Sequence, residues 1–177
     1  MKIQSVAILG AGAVGCYVLW GLADKAAANS LQLGVVAEGS RAERLRQNGC
    51  TINGQVYHPQ VWTPQQAHGV DLLIVAPCTG NTLGKLANGI ADSPVSFACK
   101  AHLRNGRPVL LAVSTNDGLS GSAANLGALL ARRHFYFVPF GQDSPTGKPA
   151  SLVAHFSLLP EAAEAALRGE QLQPLLV

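Results

Sequence analysis

The sequence predicts an α/β protein built on a single doubly wound, mainly parallel sheet with helices on both faces. Three observations carry this. Short apolar runs alternate along the chain with segments of helical periodicity, and four of those runs end in a polar, glycine-containing loop. The composition is 48% hydrophobic but only 6% aromatic, which suits buried parallel strands under closely packed helices. At 177 residues the chain reads as one domain, 1–177, able to bury a core without disulfides or structural metals.

The elements follow in order. Ser5 to Leu9 is a short apolar run bounded by Gly10, after which Val14, Tyr17, Val18 and Leu22 recur at helical spacing. Leu31 to Ala37 makes a second strand, and Arg41 to Gln47 a short charged helix closed by Asn48-Gly49. Cys50 to Trp62 alternates small apolar and polar residues around Asn53-Gly54, the pair that supplies the positive φ values of a type I′ turn, and so reads as a β-hairpin. Leu72 to Ala76 is expected as the third core strand, followed by a helix with Leu83, Leu86, Ala87 and Ile90 on its apolar side. Ser93-Pro94 starts another helix, carrying Phe97, Ala98 and Ala101 to Arg104 and ended by Asn105-Gly106.

Val109 to Val113 is a strand that enters the loop STNDGLSGS, and Ala123 to Arg133 a helix with Leu126, Leu129 and Leu130 inward. Phe135 to Val138 is the last strand expected. It leads into a polar loop, PFGQDSPTGKP, then a helical stretch interrupted at Pro160 and a tail, QLQPLLV, that packs on the body. This is a Rossmann- or flavodoxin-like arrangement, in which ligands sit beyond the carboxyl ends of the strands.

Charge and cysteine usage exclude several classes. The net charge of +3 is spread along the chain, with Arg41, Arg44 and Arg46 sharing a helix with Glu43, so no basic stripe for nucleic acid is expected. Cys16, Cys50, Cys78 and Cys99 lie far apart, and the five histidines show no ligand spacing relative to them. That pattern fits a reduced, metal-free protein. The first residues enter a strand directly and no apolar run approaches membrane-spanning length, so a cytoplasmic location without a membrane partner is expected.

Each polar glycine loop follows a strand, which places GAGAVG, PCTGNT, STNDG and FGQDSPTG on one edge of the sheet. Gly10, Gly12 and Gly15 fit G-x-G-x-x-G at a helix start, where free N–H groups favour a pyrophosphate. Glu38 closes the second strand, where it can accept from a ribose 2′-hydroxyl, while Ser40 and Arg41 stand close enough to meet a 2′-phosphate; simple strand-helix packing is the alternative use of the glycines. In the second loop Thr79 and Thr82 offer hydroxyls, Gly80 admits a close ligand, and Asn81 both donates and accepts. Ser114, Thr115, Asn116 and Asp117 offer the same from the neighbouring strand; helix capping and an ordinary turn are the alternative uses of these residues.

Cys78 at a helix start reads as a buried loop residue sooner than a reactive thiol, and Lys85 as a solvated side chain sooner than a base. Gly141, Gln142, Asp143 and Lys148 are placed to close over a ligand. No catalytic residue is assigned.

Two stretches resemble known families. GAGAVGCYVLWGLADK, VVAEGSRAERLRQNGCTINGQVYHP and HGVDLLIVA resemble the amino-terminal Rossmann part of ketopantoate reductases over residues 1 to about 76. That resemblance implies NAD(P) binding at Gly10, Gly12, Gly15 and Glu38, although the lysine that family needs after its third strand is replaced here by Pro77-Cys78-Thr79. From Leu72 to the last residue the chain resembles the B subunit of dipicolinate synthase and related flavoproteins of the phosphopantothenoylcysteine decarboxylase type, through PCTGNT, STND and the ending QLQPLLV.

The second resemblance implies FMN or a small carboxylate substrate against Thr79 to Thr82 and Ser114 to Asp117. It also implies an oxidoreductase subunit that works with a second dipicolinate synthase subunit, or as a homo-oligomer, to oxidise a dihydrodipicolinate precursor to dipicolinate in sporulation. The cofactor, FMN or NAD(P), stays open between the two resemblances. Together they suggest a chimera of an amino-terminal half, 1–71, and a carboxy-terminal half, 72–177. A truncated reductase fragment and a non-catalytic scaffold are the other readings.

Overall fold

A computed structural model describes residues 4–9, 12–28, 31–67 and 69–177. Its first five strands are β1 (Ser5–Leu9), β2 (Gln32–Val36), β3 (Cys50–Ile52), β4 (Gln55–Tyr57) and β5 (Gln60–Trp62). Then come β6 (Leu72–Cys78), β7 (Val109–Thr115) and β8 (Phe135–Phe137). Six of these form a parallel frame in the order β5-β2-β1-β6-β7-β8. The chain first winds outward from β1 through β2 to β5, then restarts at β6 and winds the other way. This is the doubly wound order with its switch point between β1 and β6.

The strands that face helices on both sides are apolar throughout: Leu72 to Ala76 and Val109 to Val113 are each no more than 1% exposed. The helices in chain order are α1 (Ala13–Ala28), α2 (Gly39–Asn48), α3 (Pro64–Ala67), α4 (Gly80–Ala87), α5 (Pro94–Arg104), α6 (Ala123–Leu130) and α7 (Leu159–Leu167). On one face of the sheet α1 and α7 pack against each other, and on the other lie α3, α4, α5 and α6. The short α2 packs on β5 through Ala42 and Leu45. In α5 the start is fixed by a reciprocal cap, in which Ser93 Oγ accepts from the Ser96 N–H and Ser96 Oγ accepts from the Ser93 N–H. Arg132 finishes α4 from outside, donating to the carbonyls of Leu86 and Ala87.

Three expectations from the sequence are corrected. The Asn53-Gly54 hairpin is present as β3 and β4, with φ of 50° and 80° at the turn, but it ends before Pro59. Gln60 to Trp62 leaves the hairpin and adds to β2 in parallel, so Leu72 begins the fourth frame strand, not the third. Gly34 permits this: a Cβ there would stand 2.7 Å from the Trp62 ring, which lies over the bare backbone.

The second correction concerns the stretch expected as the polar loop PFGQDSPTGKP. It is an antiparallel hairpin of β9 (Phe140–Ser144) and β10 (Lys148–Ala154), closed where Ser144 Oγ accepts from the Gly147 N–H at 3.2 Å. Asp143 pairs with Lys148 at 2.8 Å and the Gln142 amide donates to Pro149 O at 2.9 Å, so these side chains brace the hairpin itself. Third, Pro160 does not interrupt a helix but sits in the first turn of α7, where its missing N–H costs nothing. Leu130, expected inward, and Ile90, expected on the apolar side of its helix, are exposed, as are Tyr17 and Phe97.

The β10 strand joins the frame through β7, pairing Leu152 with Thr115 and Val153 with Ser114. The tail packs on the body as expected. The Gln171 amide serves as a strand residue for β8, accepting from the Phe137 N–H and donating to the Phe137 carbonyl, both at 2.8 Å. Farther on, Phe140 donates to Leu175 O and accepts from the Val177 N–H. Replacing Gln171 by alanine should leave both Phe137 groups unpaired and cost about 1–3 kcal/mol, read as a lowered midpoint in urea unfolding without a change in slope.

Candidate functional site

Because β6 and β7 are parallel neighbours, the loops that leave their carboxyl ends stand side by side. Between them opens a cleft of about 400 Å³, with Thr79, Gly80 and Asn81 on one wall and Ser114, Thr115, Asn116 and Asp117 on the other. That volume lies within the range of small-molecule pockets. The second and third loops singled out from the sequence thus share one site geometry. Thr82 lies one turn in, its hydroxyl 3.4 Å from that of Thr79.

Thr79 holds the N-cap position of α4 with extended backbone (φ −80°, ψ 164°), but its side chain makes no capping bond. The first N–H groups of α4 are left uncapped by the chain's own hydroxyls, at the mouth of the cleft. The facing loop is braced internally. The Thr115 hydroxyl donates to Asp117 Oδ1 and the Ser122 hydroxyl to Asp117 Oδ2 at 2.9 Å, while the Asp117 carbonyl accepts from the N–H groups of Ser120 and Ser122. Ser151 Oγ donates to Thr115 O at 3.1 Å, which anchors the same loop to β10.

The two hydroxyls hold the Asp117 carboxyl below its ordinary pKa, the Thr115 bond being the larger cause. A depressed folded pKa means that this support is present above the ordinary carboxylate range and is lost as the pH falls through the folded value. At neutral pH the brace is therefore intact. Ser122 was not among the sequence-based candidates. Its only signal is its place directly before α6, where a serine ordinarily caps the helix; here it makes no cap bond and turns to Asp117 instead.

Gly80 fits into this brace. A Cβ on it would lie 2.6 Å from Ser122 Oγ and 2.7 Å from both Asp117 Oδ1 and Thr115 Oγ1. Only glycine lets α4 start this close to the facing loop.

The first loop is not joined to this cleft in the same way. Gly10 lies outside the described residues; Gly12 is exposed before α1, and Gly15 is buried inside it. Glu38 takes the N-cap position of α2 without a side-chain cap bond and lines a separate cleft with Pro64, Gln65, Asp92 and Phe97. Lys85 pairs with Asp92 at 2.8 Å, which lowers the Asp92 pKa. Cys78 and Cys99 are fully buried, and burial pushes both thiols up, Cys78 also through the neighbouring Cys99. Cys50 is raised to about 11, first by burial and then by the Cys16 thiol beside it. Among the described residues no group of His, Cys, Asp and Glu could hold a metal ion, and no helix is long and apolar enough to cross a membrane.

The fold and the paired loops define a class. The chain belongs to the flavoprotein family, whose model matches residues 22–128. Within that class it is similar to the B subunit of dipicolinate synthase. The protein of that name from Bacillus subtilis (strain 168) is 51% identical over 108 residues, 61% of this chain and 54% of the relative, so the match spans about half of that relative's length. The crystal structure of the B subunit of dipicolinate synthase from Bacillus halodurans C superposes with a TM-score of 0.78 at 33% identity, covering 99% of this chain and 96% of the other. An FMN-dependent cysteine decarboxylase, SpaF, shares the fold with a TM-score of 0.56 at 17% identity over 93% and 97% of the two chains.

These matches do not support a chimera. The family match begins at residue 22 and the superposition runs through nearly the whole chain, across the boundary at residue 71. One sheet likewise crosses it, with β1 hydrogen-bonded to β6. The ketopantoate reductase resemblance and the NAD(P) alternative find no support in them.

Proposed function

We propose that the chain is a flavin-binding component of a dipicolinate synthase, holding FMN against the α4 cleft and contributing, with a second subunit, to oxidation of a dihydrodipicolinate precursor in sporulation. One observation carries the reading: in a chain of the flavoprotein family, the loops Thr79–Asn81 and Ser114–Asp117 converge on one cleft at the carboxyl edge of the sheet. Their chemistry fits a flavin. Hydroxyl and amide groups line the cleft, as the alternating donors and acceptors of an isoalloxazine edge require, and Gly80 lets the start of α4 approach the facing loop.

Bound FMN would supply a flat ring able to accept two electrons. The residues of this chain would bind and orient it: Asn81 and Asn116 through their amides, Thr79 and Ser114 through their hydroxyls. Gly12, Gly15 and Glu38 lie outside this cleft and are given no role in it. A cytoplasmic location and a homo-oligomeric or two-subunit assembly complete the proposal.

Titration of the purified protein with FMN and with NADPH, followed by flavin fluorescence and by nicotinamide fluorescence, tests it. Flavin binding without an NADPH response is expected. Binding of NADPH alone would favour a nicotinamide-dependent protein, and silence on both a scaffold. Asn81→Ala should weaken FMN binding about tenfold, the worth of one or two hydrogen bonds, and unchanged affinity would move the ligand away from this cleft.

A further inference from the structure

The polar groups of the α4 cleft are not equally available to a ligand. Thr115 and Ser122 both spend their hydroxyl protons on Asp117, so neither donates into the cleft. The Asp117 carboxylate stands against the first turn of α4, near enough that a Cβ on Gly80 would touch it. A helix start carries partial positive charge and ordinarily attracts an anion; here a carboxylate of the chain itself already answers it. Among the described residues no lysine, arginine or histidine lines the cleft. A second anion brought to this wall would meet a fixed negative charge and no cation.

What remains is an acceptor between donors. Asp117 keeps free lone pairs, and the amides of Asn81 and Asn116 lie on the two walls beside it. The complement of that pattern is a donor between two acceptors, the carbonyl, N–H, carbonyl sequence of a cyclic imide. We propose that Asp117 is a specificity-determining residue of the cleft, accepting the imide N–H at the pyrimidine edge of a flavin and turning anionic groups away. This rests on the flavin reading above and orients it: the ring edge faces Asp117, while the phosphate of FMN and the carboxylates of a substrate lie elsewhere. Asp117 is ionised at neutral pH, and the hydroxyls of Thr115 and Ser122 lower its pKa further.

The test compares riboflavin with 3-methylriboflavin, whose imide N–H is replaced by a methyl group, by fluorescence titration of the wild-type protein. It adds competition by pyridine-2,6-dicarboxylate against riboflavin on the wild type and on Asp117→Asn. Riboflavin should bind the wild type at least about tenfold more tightly than its methyl derivative, as loss of a hydrogen bond to a charged group implies. The dissociation constant of the dicarboxylate, taken from the competition with each protein's own riboflavin affinity accounted for, should be at least about tenfold lower for Asp117→Asn than for the wild type, the effect of removing one like charge at close range.

Equal binding of the two flavins to the wild type, or unchanged competition by the dicarboxylate in a folded Asp117→Asn, overturns the assignment while leaving the flavin reading standing. Failure of riboflavin to bind where FMN binds overturns the assignment alone, and failure of both flavins to bind overturns the flavin reading with it. Should Asp117→Asn not fold, the wild-type comparison decides alone.

Discussion

Gly80→Ala should lose flavin affinity at least about tenfold and destabilise the chain by about 1–3 kcal/mol, the usual cost of forcing an extra carbon into a filled site. The added methyl would lie 2.6–2.7 Å from three oxygens, and none of the three is the loose end of a long side chain. Ser122 and Thr115 are short and Asp117 is held by both, so accommodation requires either breaking the brace or lifting the start of α4. Each of these moves a wall of the cleft. The same change at Gly127, on an exposed face of α6 where a Cβ meets nothing within 4 Å, should instead stabilise by about 0.5–1 kcal/mol through helix propensity. Thermal melts of the two variants and a flavin titration give the comparison. Equal behaviour would show that the contact around Gly80 is not tight.

Phe137→Ala should be the costlier change for stability, about 3–5 kcal/mol, because a buried aromatic is removed where the neighbours cannot collapse. Phe137 is 1% exposed; its ring lies near that of Phe140 with centroids 6.3 Å apart, and its N–H and carbonyl are both bonded to the Gln171 amide. At roughly 2–4 °C per kcal/mol for a chain of this size, the melting temperature should fall by on the order of 10 °C. Flavin affinity measured well below the melting point should change little, since the cleft lies beyond the part of β7 that pairs with β8. A large loss of affinity in a folded variant would mean that the strand pairing and the cleft are coupled.

What was legible in the sequence follows from grammar that the chain writes locally. Apolar runs that end in Gly10, in Cys78-Thr79-Gly80 and in Ser114-Thr115-Asn116 each announce a strand with a loop at its carboxyl end, and parallel winding then brings two of those loops together without further information. The Asn53-Gly54 turn and the Ser93-Pro94 helix start were legible for the same reason, since the residues responsible are adjacent in sequence.

What was not legible depends on partners far along the chain. Gln60 to Trp62 looks like the end of a hairpin, and only the bare backbone at Gly34, much earlier in the chain, shows where the Trp62 ring lies. Asp143, Ser144, Pro145 and Gly147 have the composition of a loop, yet the tail pins β9 on one side and β7 holds β10 on the other. Ser122 reads as a cap from its position, but a carboxylate within reach of its hydroxyl outcompetes the helix. The separation of Glu38 from the α4 cleft is of the same kind, because strand order, not sequence distance, decides which loops meet.

The edge of β7 has two owners. Its first three residues pair in parallel with β8, and its last two pair antiparallel with β10. Leu111 is fixed by Phe137 and Ser114 by Val153, so the number of residues between those two rungs is set from both sides. Side chains alternate along a strand, and one inserted or deleted residue in that interval would exchange the directions of Ser114 and Thr115. The cleft would then receive the wrong hydroxyl while every residue type in the loop stayed the same. The chemistry of this edge is a matter of parity as much as of composition.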